Sequence, residues 1–282
     1  MQDPLTASSI DSSKSNPVGV FDSGIGGLTV FRELAKILPH EDLIYLGDTA
    51  RVPYGNKSPE TVTRYALQNV RFLLKQKVKM VVVACNTASA FALKTLQTEY
   101  KIPILGVIEP GARGALSASH KFRIGVIGTE GTMKSEAYTQ TILSQKPQAF
   151  VISASCPLFV PLVEEGWLEG EVPEKIADQY LKKILAEDID CLILGCTHYP
   201  LLKQTLQKVI GEKIRLIDSA EETARAVLEL LTRKDLVHPK ISKNQAPRRQ
   251  FFVTDSPERF RRVGEIFLKE LIPDIQHVTL EV

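Results

Sequence analysis

Two segments of this sequence place a thiol directly after a run of aliphatic residues and directly before hydrogen-bonding ones: Val81-Val82-Val83-Ala84-Cys85-Asn86-Thr87 and Leu192-Ile193-Leu194-Gly195-Cys196-Thr197-His198. Such aliphatic runs read as buried strands, and the polar residues after them as the opening of a helix. Each cysteine would then sit at a helix N-terminus, where unpaired N–H groups and the helix dipole favour a thiolate. One activated thiol, with His198 as its base, suits a Cys-His hydrolase acting on an amide. Two thiols in matched settings suit a reaction with matched ends. If one thiolate takes a proton from one face of a carbon and a thiol on the other face supplies one, the product is the mirror image of the substrate, which is racemisation.

Free cysteines are often plain core residues, but Cys85 and Cys196 are each followed by a polar pair. Cys156, ahead of Pro157, and Cys191, at a strand start, fit the core reading. No structural metal is expected, because Cys191, Cys196 and His198 lack CxxC or HxxxH spacing. A third chemical segment, Asp22-Ser23-Gly24-Ile25-Gly26-Gly27, follows the first apolar run and opens a helix, so its amides could hold an anion. Thr29 stands where the last glycine of GxGxxG belongs, and no Walker lysine follows, which disfavours nucleotides. A carboxylate or ammonium group of a small substrate suits Asp22 and Ser23 better. His198, two residues after Cys196, is placed to set that thiol's charge.

These residues need a scaffold, and short apolar runs alternate with amphipathic stretches along almost the whole chain. Val18 to Phe21 reads as a strand, Leu28 to Leu38 as a helix ended by Pro39, and Leu43 to Leu46 as a second strand. A long loop spans Gly47 to Lys57, followed by a helix with Ser58 as N-cap and Pro59 at its first position. Alternation of this kind predicts an α/β fold with parallel strands flanked by helices. The rhythm restarts at Arg123 to Thr132, which parallels Gly19 to Gly27. Asp22 precedes Cys85 by 63 positions, and Thr129 precedes Cys196 by 67. The expectation is two similar α/β domains related by a pseudo-two-fold, with ligands beyond the carboxyl ends of the strands and the active site in the cleft between domains. Residues 17–110 and 217–282 are assigned to the first domain and 111–216 to the second. The basic, polar run from Lys234 to Arg249 reads as a solvated excursion before a last strand, Gln250 to Val253, and a helix start at Thr254 to Glu258.

With 282 residues, 44% hydrophobic and 24% charged, the chain has the composition of a globular protein with a substantial core. Lys+Arg 35 against Asp+Glu 33 gives a net charge of only +2, no footprint for nucleic acid or an anionic membrane. A small-molecule partner is expected. The longest apolar runs fall far short of the roughly 20 residues that cross a bilayer. Residues 1–16 are Ser-rich, without a basic n-region or an apolar h-region, and read as a flexible tail and not a secretory signal. Four cysteines in that context point to a reducing cytoplasm.

Five blocks together carry a resemblance: Gly19 to Gly27, Gly47-Asp48-Thr49-Ala50-Arg51-Val52-Pro53-Tyr54-Gly55, Ala84-Cys85-Asn86-Thr87-Ala88-Ser89, Pro161-Leu162-Val163-Glu164-Glu165-Gly166 and Gly195-Cys196-Thr197-His198-Tyr199-Pro200. In this order they resemble the glutamate racemases of the aspartate/glutamate racemase family. The resemblance implies a cofactor-independent isomerase that interconverts L- and D-glutamate and supplies D-glutamate for peptidoglycan, with Cys85 and Cys196 as the two acid/base residues. It further implies that Asp22 and Ser23, Tyr54 and Gly55, Asn86 and Thr87, and Thr197 and His198 hold the substrate. Glu164 would assist the cysteine on the second side, and a homodimer is the common family assembly. An aspartate racemase shares the two-thiol logic and would differ in pocket length. A non-catalytic module closing on an amino acid would fit the same cleft, though it needs no thiols.

Overall fold

The computed structural model describes residues 13–239 and 246–281, so residues 1–12 of the expected tail and 240–245 of the expected excursion lie outside the described residues. The strands are β1 (Val18–Asp22), β2 (Leu43–Gly47), β3 (Met80–Val83), β4 (Ile104–Gly106), β5 (Arg123–Gly128), β6 (Phe150–Ser155), β7 (Cys191–Gly195), β8 (Arg215–Asp218), β9 (Arg249–Val253) and β10 (Gln276–His277). Between them run α1 (Leu28–Ile37), α2 (Pro59–Lys75), α3 (Asn86–Glu99), α4 (Ile108–Ala118), α5 (Glu130–Lys134), α6 (Ala137–Gln145), α7 (Phe159–Glu164), α8 (Glu171–Leu185), α9 (Lys203–Ile210), α10 (Ser219–Arg233) and α11 (Pro257–Leu268). No described helix is long and apolar enough to cross a membrane.

The strands form two sheets, one of six in the order β10-β9-β2-β1-β3-β4 and one of four in the order β6-β5-β7-β8. Every pairing is parallel. Helices therefore cover the sheet faces, and the central strands β1, β3 and β7 are buried along their whole length. The fold is thus two α/β units with parallel sheets, as the alternation predicts. The row β2-β1-β3-β4 repeats as β6-β5-β7-β8, strand for strand in chain order. Cys85 follows β3 and Cys196 follows β7, so the two thiols occupy equivalent places in the two rows. The segment after residue 248 adds β9 and β10 to the first sheet, while α10 packs against both α1 and α4.

Local signals act as their chemistry dictates. Ser58 caps α2 by accepting from the Thr61 N–H, with Pro59 at the first helical position. Ser256 caps α11 in the same way through the Arg259 N–H. At the opposite end of the first sheet from the site, Lys79 is fully buried and pairs with buried Glu41 at 2.5 Å. Its ammonium also donates to the Lys14 carbonyl at 2.7 Å, and Asn16 N bonds Ser13 O, so residues 13–16 form an anchored turn. Cys156 and Cys191 are buried in the apolar core and unpaired, as their settings predict.

Candidate active site

The loops after the carboxyl ends of both sets of strands face one another across a cavity of about 70 Å³. From the first sheet come Ser23 after β1, Tyr54 and Gly55 in the loop after β2, and Cys85, Asn86 and Thr87 after β3. From the second come Thr129 after β5, Glu164 at the end of α7, and Cys196, Thr197 and His198 after β7. The structure thus brings together all but one of the residues singled out in the sequence. The exception is Asp22, which is 1% exposed and is not part of the wall. It lies under the Gly24–Gly27 turn, accepts the Gly24 N–H at 2.9 Å, and has its carboxyl raised by burial against the opposing pull of His198. Its charge in turn raises the Cys85 thiol, so it sits between the two halves of the site.

Cys85 is the N-cap of α3, and its Sγ accepts from the Ala88 N–H at 3.5 Å while facing the Ser23 hydroxyl at 3.6 Å. The sequence-based expectation of a dipole-favoured thiolate fails here. Burial pushes the thiol up to about 12, Asp22 adds to the shift, and the contacts with Ala88 and Ser23 only moderate it. Desolvation outweighs the helix terminus because the group is almost wholly removed from water. Cys85 therefore rests as a thiol.

Cys196 departs from the expectation differently. No α-helix opens behind it: a 3₁₀ turn spans Tyr199–Leu202, and α9 starts only at Lys203. What faces its Sγ is an imidazole, with His198 Nδ1 at 4.0 Å, and His198 Nε2 lies 3.1 Å from Glu164 Oε1. Burial alone would lower the pKa of His198, but Cys196 and Glu164 outweigh it and hold the ring at about 10. Both ring nitrogens then carry protons, one directed at sulfur and one at the carboxylate. His198 keeps Glu164 below the usual carboxylate range, aided by Arg259, whose guanidinium lies 3.0 Å from Oε2.

Polar groups line the space between. Asn86 accepts from the Tyr138 hydroxyl at 2.8 Å through Oδ1, while its buried Nδ2 has no partner among the described residues. An unmet buried donor on a cavity wall suits an anionic ligand group. The Thr87, Thr129 and Thr132 hydroxyls bond one another at 2.9 to 3.1 Å. Thr129 was not singled out for chemistry, although the internal repeat sets it opposite the Asp22-Ser23 turn. Tyr54 lines the cavity, but its hydroxyl is bonded to Asp48 and Asn69, so it braces the loop.

Two close approaches hold the halves together. A Cβ on Gly26 would lie 2.5 Å from His198 Nδ1, and one on Gly55 would lie 2.7 Å from Thr129 Cβ. Only glycine fits at either seam. Thr29, the departure from GxGxxG, places its hydroxyl 2.9 Å from the Gly26 carbonyl and 3.0 Å from that of Thr197, tying the same seam.

The family model described as Asp/Glu/hydantoin racemase matches residues 18–227. A glutamate racemase of Geobacter metallireducens is 52% identical over 264 residues, 94% of this chain and 97% of that protein. Among solved structures, the glutamate racemase of Francisella tularensis in complex with D-glutamate is similar with a TM-score of 0.87 and 40% identity, covering 95% of this chain and 99% of that one. The Escherichia coli glutamate racemase in complex with L-glutamate and the activator UDP-MurNAc-Ala gives a TM-score of 0.76 and 27% identity over 95% of this chain and 100% of that one.

Proposed function

The chain belongs to the Asp/Glu/hydantoin racemase family and is an isomerase, and from that premise we propose that it interconverts L- and D-glutamate using Cys85 and Cys196 as its two bases. The observation that carries the reading is one thiol from each sheet on the wall of a single cavity. In one direction a thiolate removes the α-proton and the opposite thiol returns a proton to the other face of the carbon. In the reverse direction the two exchange roles. Each cycle leaves the proton inventory of the pair inverted, so the thiols must re-equilibrate with solvent or run the reverse reaction next.

The difficult step is the weak acidity of the α-proton, and stabilisation of the developing negative charge must come from donors already in place. The free Asn86 Nδ2 and the Thr87 and Thr129 hydroxyls are suited to hold carboxylate oxygens. His198, protonated, would offset negative charge on the Cys196 sulfur. On the other side Ser23 and the Ala88 N–H would do so for Cys85. Glutamate is favoured over aspartate because the Geobacter and Francisella relatives named for it match nearly end to end. D-glutamate made in the cytoplasm would feed peptidoglycan synthesis.

The test is incubation with L-glutamate in D₂O, without pyridoxal phosphate, following circular dichroism and deuterium at Cα. Decay of optical activity to zero with solvent deuterium in the product is expected. A protein that binds glutamate yet leaves the α-proton in place would be a binding module, and exchange with aspartate alone would replace the substrate.

A further inference from the structure

The Glu164 carboxylate is held at both oxygens, from two different parts of the molecule. Oε1 lies 3.1 Å from His198 Nε2, within the second half, and Oε2 lies 3.0 Å from the Arg259 guanidinium, on the first turn of α11. Glu164 is the last residue of the six-residue helix α7. The terminal torsion of a glutamate is broad and soft, and one bonded oxygen does not set the plane of the carboxylate. Two do.

The base of Arg259 is itself lashed to the first half of the site. The Thr49 hydroxyl donates to the Asp255 carbonyl and accepts the Asp255 N–H, both at 2.8 Å. The Thr254 hydroxyl accepts from the Ala50 N–H at 2.9 Å and reaches Asp48 at 3.1 Å. Asp48 in turn bonds Tyr54 and Arg51, which shape the loop carrying Tyr54 and Gly55 to the cavity. A small adjoining cavity lies between Arg259, Glu164, Gly24 and Ile25, so the pair spans the cleft beside its mouth.

We propose that Arg259 is a positioning residue for the second thiol, acting across the cleft through Glu164 to hold His198 in line with Cys196. This inference rests on the racemase reading above. The Arg259 guanidinium bonds Glu164, and its side chain is 58% exposed, so as an isolated ion pair it would contribute little to stability. Its effect is on geometry. Without it the Glu164 carboxylate can turn away, the imidazole keeps its packing against Phe267 but loses the bond that aligns Nε2, and proton transfer at Cys196 slows.

The test compares wild type, Arg259→Ala, Arg259→Lys, Glu164→Ala and the Arg259→Ala/Glu164→Ala double variant in racemisation assays from each enantiomer. Arg259→Ala is expected to lower kcat about 10-fold, in keeping with the sensitivity of catalysis to small misplacements, with KM changed less than about 2-fold. Arg259→Lys should recover most of the loss. In the double variant, Arg259→Ala should add no further loss to that of Glu164→Ala, because it acts only through that carboxylate. A rise in KM with kcat intact, full additivity in the double variant, or wild-type rates in Arg259→Ala each overturns the proposal. If Arg259→Ala fails to fold, Arg259→Gln takes its place in the same cycle. Absence of racemisation by wild type would instead defeat the function on which the inference rests.

Discussion

The two ends of the cavity share a strand order but not a chemistry. After β3 the thiol of Cys85 caps a 14-residue helix and is surrounded by a hydroxyl, an amide and a buried carboxylate. After β7 the thiol of Cys196 precedes only a 3₁₀ turn and faces an imidazole backed by Glu164 and Arg259. A two-fold rotation cannot turn an amino acid into its mirror image, so a duplicated scaffold does not supply mirrored catalysts. In the proposed reaction the substrate's ammonium and carboxylates would keep their places while the α-proton changes face, so the two halves would have to meet that one set of groups differently. Shared topology delivers two thiols to one cavity. Divergent loops then set what surrounds each.

The largest effect is expected from removing either thiol. Cys85→Ala and Cys196→Ala should each lower racemisation by 10² or more, the scale of a lost general acid or base. The loss in kcat/KM must be equal from L- and D-glutamate, since enantiomers have equal free energies in water and the equilibrium constant is one. The asymmetry will appear in a partial reaction. Each variant should still eliminate chloride from one enantiomer of a β-chloro glutamate analogue, and the two variants should choose opposite enantiomers. Chloride release measured for all four combinations checks this, and equal loss throughout would count against a division of labour between the thiols.

A smaller effect is expected at the seams. Gly26→Ala puts a methyl group 2.5 Å from His198 Nδ1, and the ring cannot yield without losing Cys196 or Glu164. Its kcat should fall about 10- to 100-fold, the cost of a misplaced catalytic group. Gly55→Ala presses on Thr129, which suits substrate contacts and not proton transfer, so KM should rise while kcat changes less. Steady-state kinetics of the pair distinguishes the two seams.

Much of this architecture was legible in the sequence because buried parallel strands are written as aliphatic runs and helix starts as Ser-Pro pairs. β1, β3 and β7 stood out for that reason. β6 is only partly buried along its length, and β10 is a two-residue exposed pairing with no apolar run, so neither carries such a signal. Among site residues, the blocks around Cys85 and Cys196 were legible and the thiols' environments were not. A helix opening can be read from residue types, but the depth of burial that pushes Cys85 up to about 12 depends on how the other half closes over it. Asp22 and Ser23 are adjacent in sequence, and only the turn of the backbone decides that Ser23 faces the cavity while Asp22 lies beneath. Arg259 belongs to no block at all, since its partner is supplied by the packing of α11 against the second half.

Two buried titratable groups, one in each half, contribute to stability with opposite signs. His198 is raised from 6.5 to about 10, so the protonated ring favours the folded state. That stability is fully present below pH 6.5 and is lost as pH rises through about 10. The Tm advantage of wild type over His198→Asn should therefore shrink steadily across that window. Asp22 is also raised, but for an acid this means that burial penalises the charged form. Asp22→Asn should unfold at a higher Tm than wild type at pH 7, with the gain vanishing below about pH 4 as both states bind the proton. Activity should fall in the same variant, a trade of function against stability. Calorimetry across pH 3 to 10 on the three proteins tests both signs.

The finest distinction lies between the two positions that follow β1 and β5. Ser23 faces the Cys85 sulfur, whereas Thr129, its counterpart across the repeat, bonds Thr87 and Thr132 and reaches no sulfur. If Thr129 serves substrate holding alone, Thr129→Val should remove a hydroxyl while keeping the shape. One hydrogen bond contributes about 0.5 to 1.5 kcal/mol, so KM for both enantiomers should rise about 2- to 10-fold with kcat nearly unchanged. Ser23→Ala should instead lower kcat, because the lost contact is to the thiol proposed to exchange the proton. Should Thr129→Val lower kcat as Ser23→Ala does, the second half would contribute to proton transfer at both thiols, and the division between a binding edge and a proton-transfer edge would have to be redrawn.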